Sequence, residues 1–442
     1  MDQLVVTGGI PLKGVIKIDG AKNATLPLIA AGLLTSQDLI LHNVPQLADV
    51  ESFSLLVQEM GGRCDYRATQ NTLNINTKNL HTQTAPYERV RKMRASILVL
   101  GPLLARFGQA RVSLPGGCAI GVRPIDLHIQ AMEALGANVT LKDGNLEAAA
   151  PKGLQGSDYT FPKITVTGTA NMMMAAALAE GETVIRNAAT EPEITDLAAC
   201  LKKMGAKIQG AGKRIVRIQG VTSLNGTTHT VIPDRIEMGT YALAAAITGG
   251  EVLLKGGSMA LLPAFHKTLQ AVGIHPVQKA EGTVVHSPGP KNLQPADIKT
   301  APHPDFPTDL QAQMMALLTL VPGTSHITET LFENRFMHVA ELARMGADIH
   351  IHHNRATITG QKQLTAAPLM ATDLRASASL VLAALAAEGT STISRIYHLD
   401  RGYAAMEKKL AACGAEIKRR QSTEKPGMPL KPSCHNLAQS PL

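Results

Sequence analysis

Aromatic residues make up only 3% of this 442-residue chain, and no basic residues are interleaved among them. A stacking platform for nucleic acid is therefore not expected. Cysteine is sparse and irregular. Cys64, Cys118, Cys200, Cys413 and Cys434 are odd in number and form no CxxC pair, so they do not read as a disulfide framework. No charged-then-apolar leader stands at the start, and the expected setting is a reducing, cytoplasmic one. Apolar runs are short: "ASLVLAALAAEG" is cut off by Glu388 and Gly389, well below the roughly 18 residues of a membrane helix. Membrane insertion is not expected. "GAGKR" at 210–214 lacks the spacing and hydroxyl of a phosphate-binding loop. His350, His352 and His353 alternate as on one strand face, but no second ligand cluster is spaced to close a metal shell, and no metal is assigned.

What the chain does carry is positive charge, 43 Lys and Arg against 35 Asp and Glu, a formal net of +8. That excess suggests an anionic partner, which composition alone leaves open among nucleic acid, a membrane surface and a phosphorylated metabolite. With the first two disfavoured above, a small anion remains. The length exceeds one ordinary core and predicts two domains near 200 residues each, with room for a cleft between them.

A short phrase recurs through the whole chain: "EMGGRC" at Met60, "ALGANV" at Leu135, "KMGAKI" at Met204, "AVGIHP" at Val272, "RMGADI" at Met345 and "ACGAEI" at Cys413. The period is about 70 residues, and each copy reads as a helix, a glycine stop and then a hairpin. A second, small-residue and leucine-rich helix recurs between the copies, as in "AKNATLPLIAAGLL", "TGTANMMMAAALAEG" and "LRASASLVLAALAAEG". Six α/β units follow, three to a domain. If equivalent helices pack around a pseudo-threefold axis, their N-termini face one side and build a concave anion site from helix ends and basic side chains.

The residues at those ends are the candidates. Arg94 and Arg375 both lie in an "RAS" tripeptide at a helix start, where a cation opposes the dipole and an anion-binding role compensates. Lys22, Asn23 and Thr165 stand at matching starts, while Arg335 and Arg401 follow β-type runs. Asp309, Asp234 and Asp373 each suit an N-cap, a first-turn carboxylate or a general base, and spacing does not separate these. In "SLPGGCAIGVRP", Cys118 sits among glycines that offer little packing surface, with Arg123 near enough in sequence to favour a thiolate.

The stretches "GAKNATLPL", "SLPGGCAIGVRPIDLH", "PDRIEMGTY", "APHPDFPTDLQAQ", "TETLFENRFMHVAEL" and "RIYHLDRGY" together resemble the enolpyruvyl transferase family, specifically its UDP-N-acetylglucosamine 1-carboxyvinyltransferase branch. The resemblance runs from residue 1 to about 420. It implies two inside-out α/β barrel domains of three repeats each, with 1–21 plus 233–421 as the catalytic domain and 22–232 as the one carrying the cysteine loop. It also implies transfer of an enolpyruvyl group from phosphoenolpyruvate to UDP-N-acetylglucosamine for peptidoglycan synthesis, without a cofactor, and a thiol open to the epoxide fosfomycin. By the same resemblance Lys22, Asn23, Arg123, Arg335, Arg375 and Arg401 bind phosphoenolpyruvate. The nucleotide sugar is expected on Asn23, Arg94, Arg123, Pro124, Ile125, Asp126, Leu127, Lys163, Ile164, Thr165, Val166, Asp309 and Leu331. Cys118, Asp309, Lys22 and Arg401 are the implied catalytic set. Ala48 and Leu98 stand where some relatives have lysine and tryptophan, which touches single substrate contacts. The aromatic-pathway branch of the family lacks the "GGC" loop, and a silent sugar-binding regulator is expected to have lost Lys22, Cys118, Asp309 or Arg401. Residues 422–442 have no counterpart in the repeats and are expected to be a disordered tail.

Overall fold

The computed structural model describes residues 2–91, 93–114 and 125–421. The expected tail and most of the cysteine loop, including Cys118, Arg123 and Pro124, lie outside the described residues.

The recurring phrase is a helix terminus. Its six glycines, Gly61, Gly136, Gly205, Gly273, Gly346 and Gly414, all take a left-handed backbone with φ between 86° and 111°, which costs a residue with a Cβ about 1–2 kcal/mol. Around each, the chain closes the same pair of bonds. In the first, Gly61 N donates to Gln58 O (2.9 Å) and Gly62 N to Val57 O (3.0 Å), satisfying carbonyls that the helix end leaves open.

After the first five termini a hairpin forms. After the sixth, at Gly414, the strand Glu416–Gln421 pairs instead with Asp2–Thr7 from the start of the chain, so the expected sixth hairpin is replaced by a distant strand. The described residues contain six four-stranded sheets built to one plan. Thr324–Thr328 shows it: the strand pairs parallel with Asp297–Lys299 and antiparallel with Arg355–Thr359, which pairs antiparallel with Asp348–His352. Parallel neighbours need a crossover, and the leucine-rich helix supplies it, here Gln311–Leu318. Each sheet is an open row of four strands, so the barrel is one of α/β units around buried helices rather than a closed ring of strands.

The buried apolar residues form two clusters, one from Ala21 to Val231 and one joining Leu4–Ile18 to Ile236–Ile417. In the second half, the helices Arg235–Thr248, Gln311–Leu318 and Leu374–Ala386 pack against one another pairwise. The chain closes each half by borrowing a strand. Thr227–Thr230 completes the sheet of Leu39–His42, and Asp2–Thr7 completes that of Glu416–Gln421. It passes between halves twice, at 18–21 and 231–234, and these passages bond to each other: Ala21 N to Ile232 O and Asp234 N to Asp19 O, both 2.8 Å.

Two central helices open differently from the simple reading. "MRASILVLGPLLARFG" forms a 3-10 turn, Arg94–Val99, before the α-helix Leu100–Phe107. Pro102 has no N–H to give, and it is accommodated in the first turn, where amides have no intrahelical partner. A 3-10 turn, Thr308–Leu310, likewise precedes Gln311–Leu318.

Candidate active site

At the N-terminal ends of the central helices, two carboxylates gather the cations. Asp309 lies in the turn Thr308–Leu310 and caps nothing. Its Oδ1 accepts from Arg335 Nη2 at 2.7 Å and its Oδ2 from Arg375 Nη2 at 3.0 Å. Asp309 is thus no cap; it stands as a first-turn carboxylate paired with two arginines. The other two candidate acids are caps: Asp234 receives the amides of Ile236 and Glu237, and Asp373 those of Arg375 and Ala376. Burial alone would raise the Asp309 pKa, but Arg375, Arg335 and Lys22 outweigh it and hold the carboxyl well below its ordinary range.

Both arginines are fixed from behind. Arg375 and Arg335 are buried. Arg375 Nη1 donates to Tyr403 Oη (3.1 Å), which also meets Thr240 Oγ1 (2.8 Å) and Gln313 Nε2 (3.2 Å). Arg335 Nη1 donates to Thr308 Oγ1 (2.9 Å), and that hydroxyl donates to Glu329 Oε2 (2.7 Å). The other oxygen of Glu329 accepts the Leu331 amide (2.8 Å), so one carboxylate sets both the arginine and the half-exposed Leu331 loop.

The second carboxylate is Asp49, in the helix Ala48–Glu59. Lys22 Nζ lies 3.3 Å from its Oδ2, and Arg401, from the other half, places Nε 2.8 Å from its Oδ1. Burial would raise the Asp49 pKa, yet Lys22 and Arg401 hold it below the ordinary value. For Lys22 burial dominates and lowers the ammonium, with Asp49 the largest opposing influence. Lys22 also anchors its own helix, its backbone N–H meeting Asp234 Oδ2 at 3.1 Å.

A second group of expected residues sits at two neighbouring helix starts. Ile125, Asp126 and Leu127 open Asp126–Ala134, while Lys163, Ile164, Thr165 and Val166 open Val166–Ala176, where Thr165 caps Gly168 N. The two helices are tied by His128, which meets Thr167 Oγ1 (3.2 Å) and Asn171 Nδ2 (3.1 Å). Burial first and Arg94 second push the His128 imidazole down to about 4, so it serves as a neutral strut. Asn23 adjoins Lys22 in the first turn of Lys22–Ala31, and Arg94 begins its 3-10 turn, both half-buried. Leu98 is 1% exposed and belongs to the core; Ala48 is exposed.

Asp49, Glu329, Tyr403 and Gln313 escaped the reading of the sequence. For Asp49 a signal existed. It stands eleven residues ahead of Met60 in its copy of the phrase, as Glu193 does ahead of Met204, and Glu193 too binds a cation from the other half, Arg235 Nε at 2.9 Å. Among the described residues, no group of three His, Cys, Asp or Glu side chains is placed to hold a metal, and no helix is long and apolar enough to cross a membrane.

The family model described as EPSP synthase (3-phosphoshikimate 1-carboxyvinyltransferase) matches residues 6–410. UDP-N-acetylglucosamine 1-carboxyvinyltransferase of Dinoroseobacter shibae is 54% identical over 423 residues, covering 96% of this chain and all of that protein. The protein of the same name from Nitrobacter winogradskyi is 55% identical over 427 residues, covering 95% and 99%. Among solved structures, the enolpyruvyl transferase NikO from Streptomyces tendae superposes with a TM-score of 0.85 at 24% identity over 95% of this chain and 99% of that one. An EPSP synthase from Acinetobacter baumannii gives 0.73 at 18% identity, over 95% and 100%. At such identities these two likenesses speak for the fold.

Proposed function

The chain belongs to the UDP-N-acetylglucosamine 1-carboxyvinyltransferase family, and from that premise we propose that it transfers the enolpyruvyl group of phosphoenolpyruvate to the 3-hydroxyl of UDP-N-acetylglucosamine, releasing phosphate. The carrying observation is the convergence of Lys22, Arg335, Arg375 and Arg401 on two carboxylates at the helix ends, in a chain 54% identical end to end to a protein of that name.

The donor brings a carboxylate and a phosphate, and Lys22, Arg123 and Arg401 hold it, with Arg335 and Arg375 beside it. Asn23, Arg94, Arg123, the segments 124–127 and 163–166, and Leu331 line the acceptor site. Protonation of the donor at C3, with Cys118 as the acid, leaves C2 cationic. The sugar hydroxyl attacks C2 while Asp309 takes its proton, giving a tetrahedral phosphate-bearing intermediate. Loss of a C3 proton and of phosphate restores the enol ether. With Arg335 and Arg375 on its oxygens, Asp309 is ionised at neutral pH but a weak base. Substrate anions that draw those guanidiniums away raise its basicity where the hydroxyl arrives. The enzyme works in the cytoplasm on a precursor of peptidoglycan, and so serves cell shape and division.

The test is phosphate release from phosphoenolpyruvate with and without UDP-N-acetylglucosamine. Release only when the sugar is present is the expected result. Release independent of it, or with a shikimate acceptor instead, would overturn the reading.

A further inference from the structure

Asp49 and Glu193 occupy the same place in two repeats, each the second residue of its helix and each bridged to a cation from the opposite half. Their surroundings differ. Arg235 and Glu193 are sealed, with side chains 9% and 3% exposed, whereas Arg401 is 38% exposed above a buried Asp49 at 6%. The Glu193 pair is thus closed off as a structural contact, while the Asp49 cluster is open to solvent on its Arg401 side. The Asp49 carboxylate accepts from Lys22 and Arg401. Lys22, Arg335, Arg375 and Arg401 converge on Asp49 and Asp309 in this cleft, a basic cluster suited to an anionic ligand.

We propose that Asp49 is a positioning residue for the donor: it serves as a built-in counter-anion that holds Lys22 and Arg401 across the two halves, and yields part of that pairing to the donor's anionic groups. The proposal rests on the reading that Lys22 and Arg401 bind phosphoenolpyruvate. It gives Asp49 two effects. One is geometric, because a guanidinium and an ammonium pinned on one carboxylate arrive already oriented. The other is electrostatic. Lys22 is faced by Asp49, Arg375, Arg401 and Asp309; burial and the two arginines favour its neutral form, and Asp49 is the main group opposing them.

The experiment uses the full chain with Asp49→Asn and Asp49→Glu. Kinetics are measured at pH 8 for each substrate, and Lys22 titration is followed by NMR of 13C-labelled lysine, assigned with Lys22→Arg. Asp49→Asn is expected to lower kcat/KM for phosphoenolpyruvate by about tenfold or more and to move the Lys22 titration down by about one pH unit. The KM for UDP-N-acetylglucosamine stays within about twofold of wild type, the change expected of an uncoupled site. Asp49→Glu, with the charge kept, recovers most of both. An unchanged Lys22 titration overturns the proposal, as does an unchanged kcat/KM for the donor. So does an equal loss toward both substrates that Asp49→Glu does not rescue, since that marks a merely structural residue. If the wild-type chain transfers no enolpyruvyl group, the functional reading fails, and the Lys22 titration, which needs no turnover, still decides the role of Asp49.

Discussion

At the scale of single residues, Asp309 carries structure and, in the proposed reaction, chemistry. Its replacement by asparagine would be harmless to stability if Asp309 were a cap, because the two cap equally well. The structure changes that expectation: Arg335 and Arg375, 5% and 3% exposed, would lose their shared counter-charge. Asp309→Asn should therefore cost about 1–3 kcal/mol in denaturant unfolding, and lower turnover by roughly 10² to 10⁴ through loss of the base. Normal turnover in a folded variant would remove Asp309 from the chemistry. A second prediction concerns the thiols. Burial pushes Cys64 and Cys200 up to about 12 and also raises Cys413, so at neutral pH these are protonated and poor nucleophiles. Fosfomycin should alkylate Cys118, as read by peptide mapping and mass spectrometry; an adduct on another cysteine with Cys118 free would contradict its place in the site. Arg335 and Arg401, which lie in a turn and at the end of a 3-10 helix, were named by the resemblance, whereas Lys22 and Arg375 were legible in the sequence because they fall at helix starts in a repeat. The carboxylates' use of them was not: Asp309, Asp234 and Asp373 look alike until the partners of each oxygen are seen, and Asp49 lies 352 residues from Arg401.

At the scale of elements, the repeat was readable because each copy needs the same backbone. A left-handed residue after the helix is nearly a glycine requirement, so six glycines recur where side chains around them drift. What the sequence did not reveal is how two of the leucine-rich helices begin. The 3-10 turns Arg94–Val99 and Thr308–Leu310 lead straight into α-helices, and hydrophobic periodicity does not separate a 3-10 turn from the first turn of an α-helix. The helix terminus can be tested apart from packing at Gly346, where φ is 90° and an added Cβ would meet nothing within 4 Å. Gly346→Ala should destabilise by about 1–2 kcal/mol from backbone conformation alone. Gly346→Asn, better tolerated in that region, should recover part of the loss in the same thermal unfolding assay. Equal stability of all three chains would mean that the turn relaxes, and that the recurrence of glycine has another cause.

At the scale of the whole molecule, function depends on two halves joined by two passages and by a few contacts at their facing surfaces. The passages are braced by Lys409, whose Nζ lies 2.8 Å from Asp19 and 2.6 Å from Glu237. Beyond them the halves meet through Arg401 and Asp49, Arg235 and Glu193, and Thr190 Oγ1 donating to His303 O at 2.8 Å. Among the described residues these contacts are largely polar, with Ala404 packed on the first half's apolar cluster as an exception, and such interfaces ordinarily open and close. Opening rehydrates the Arg235–Glu193 pair and parts Arg401 from Asp49, so its net cost is small once water replaces the lost partners. A ligand whose anionic groups need Lys22 and Arg94 from one half and Arg335 and Arg401 from the other binds only where both are near, and so draws the population toward the closed form. UDP-N-acetylglucosamine at saturation should therefore reduce the radius of gyration in solution scattering. The fall should be on the order of 1 Å, against the roughly 22 Å of a compact chain this long. It should also slow proteolysis at the passages 18–21 and 231–234. A radius and cleavage pattern indifferent to the sugar would mean that the two halves are already locked by their own ion pairs, and that the substrates enter a preformed cleft.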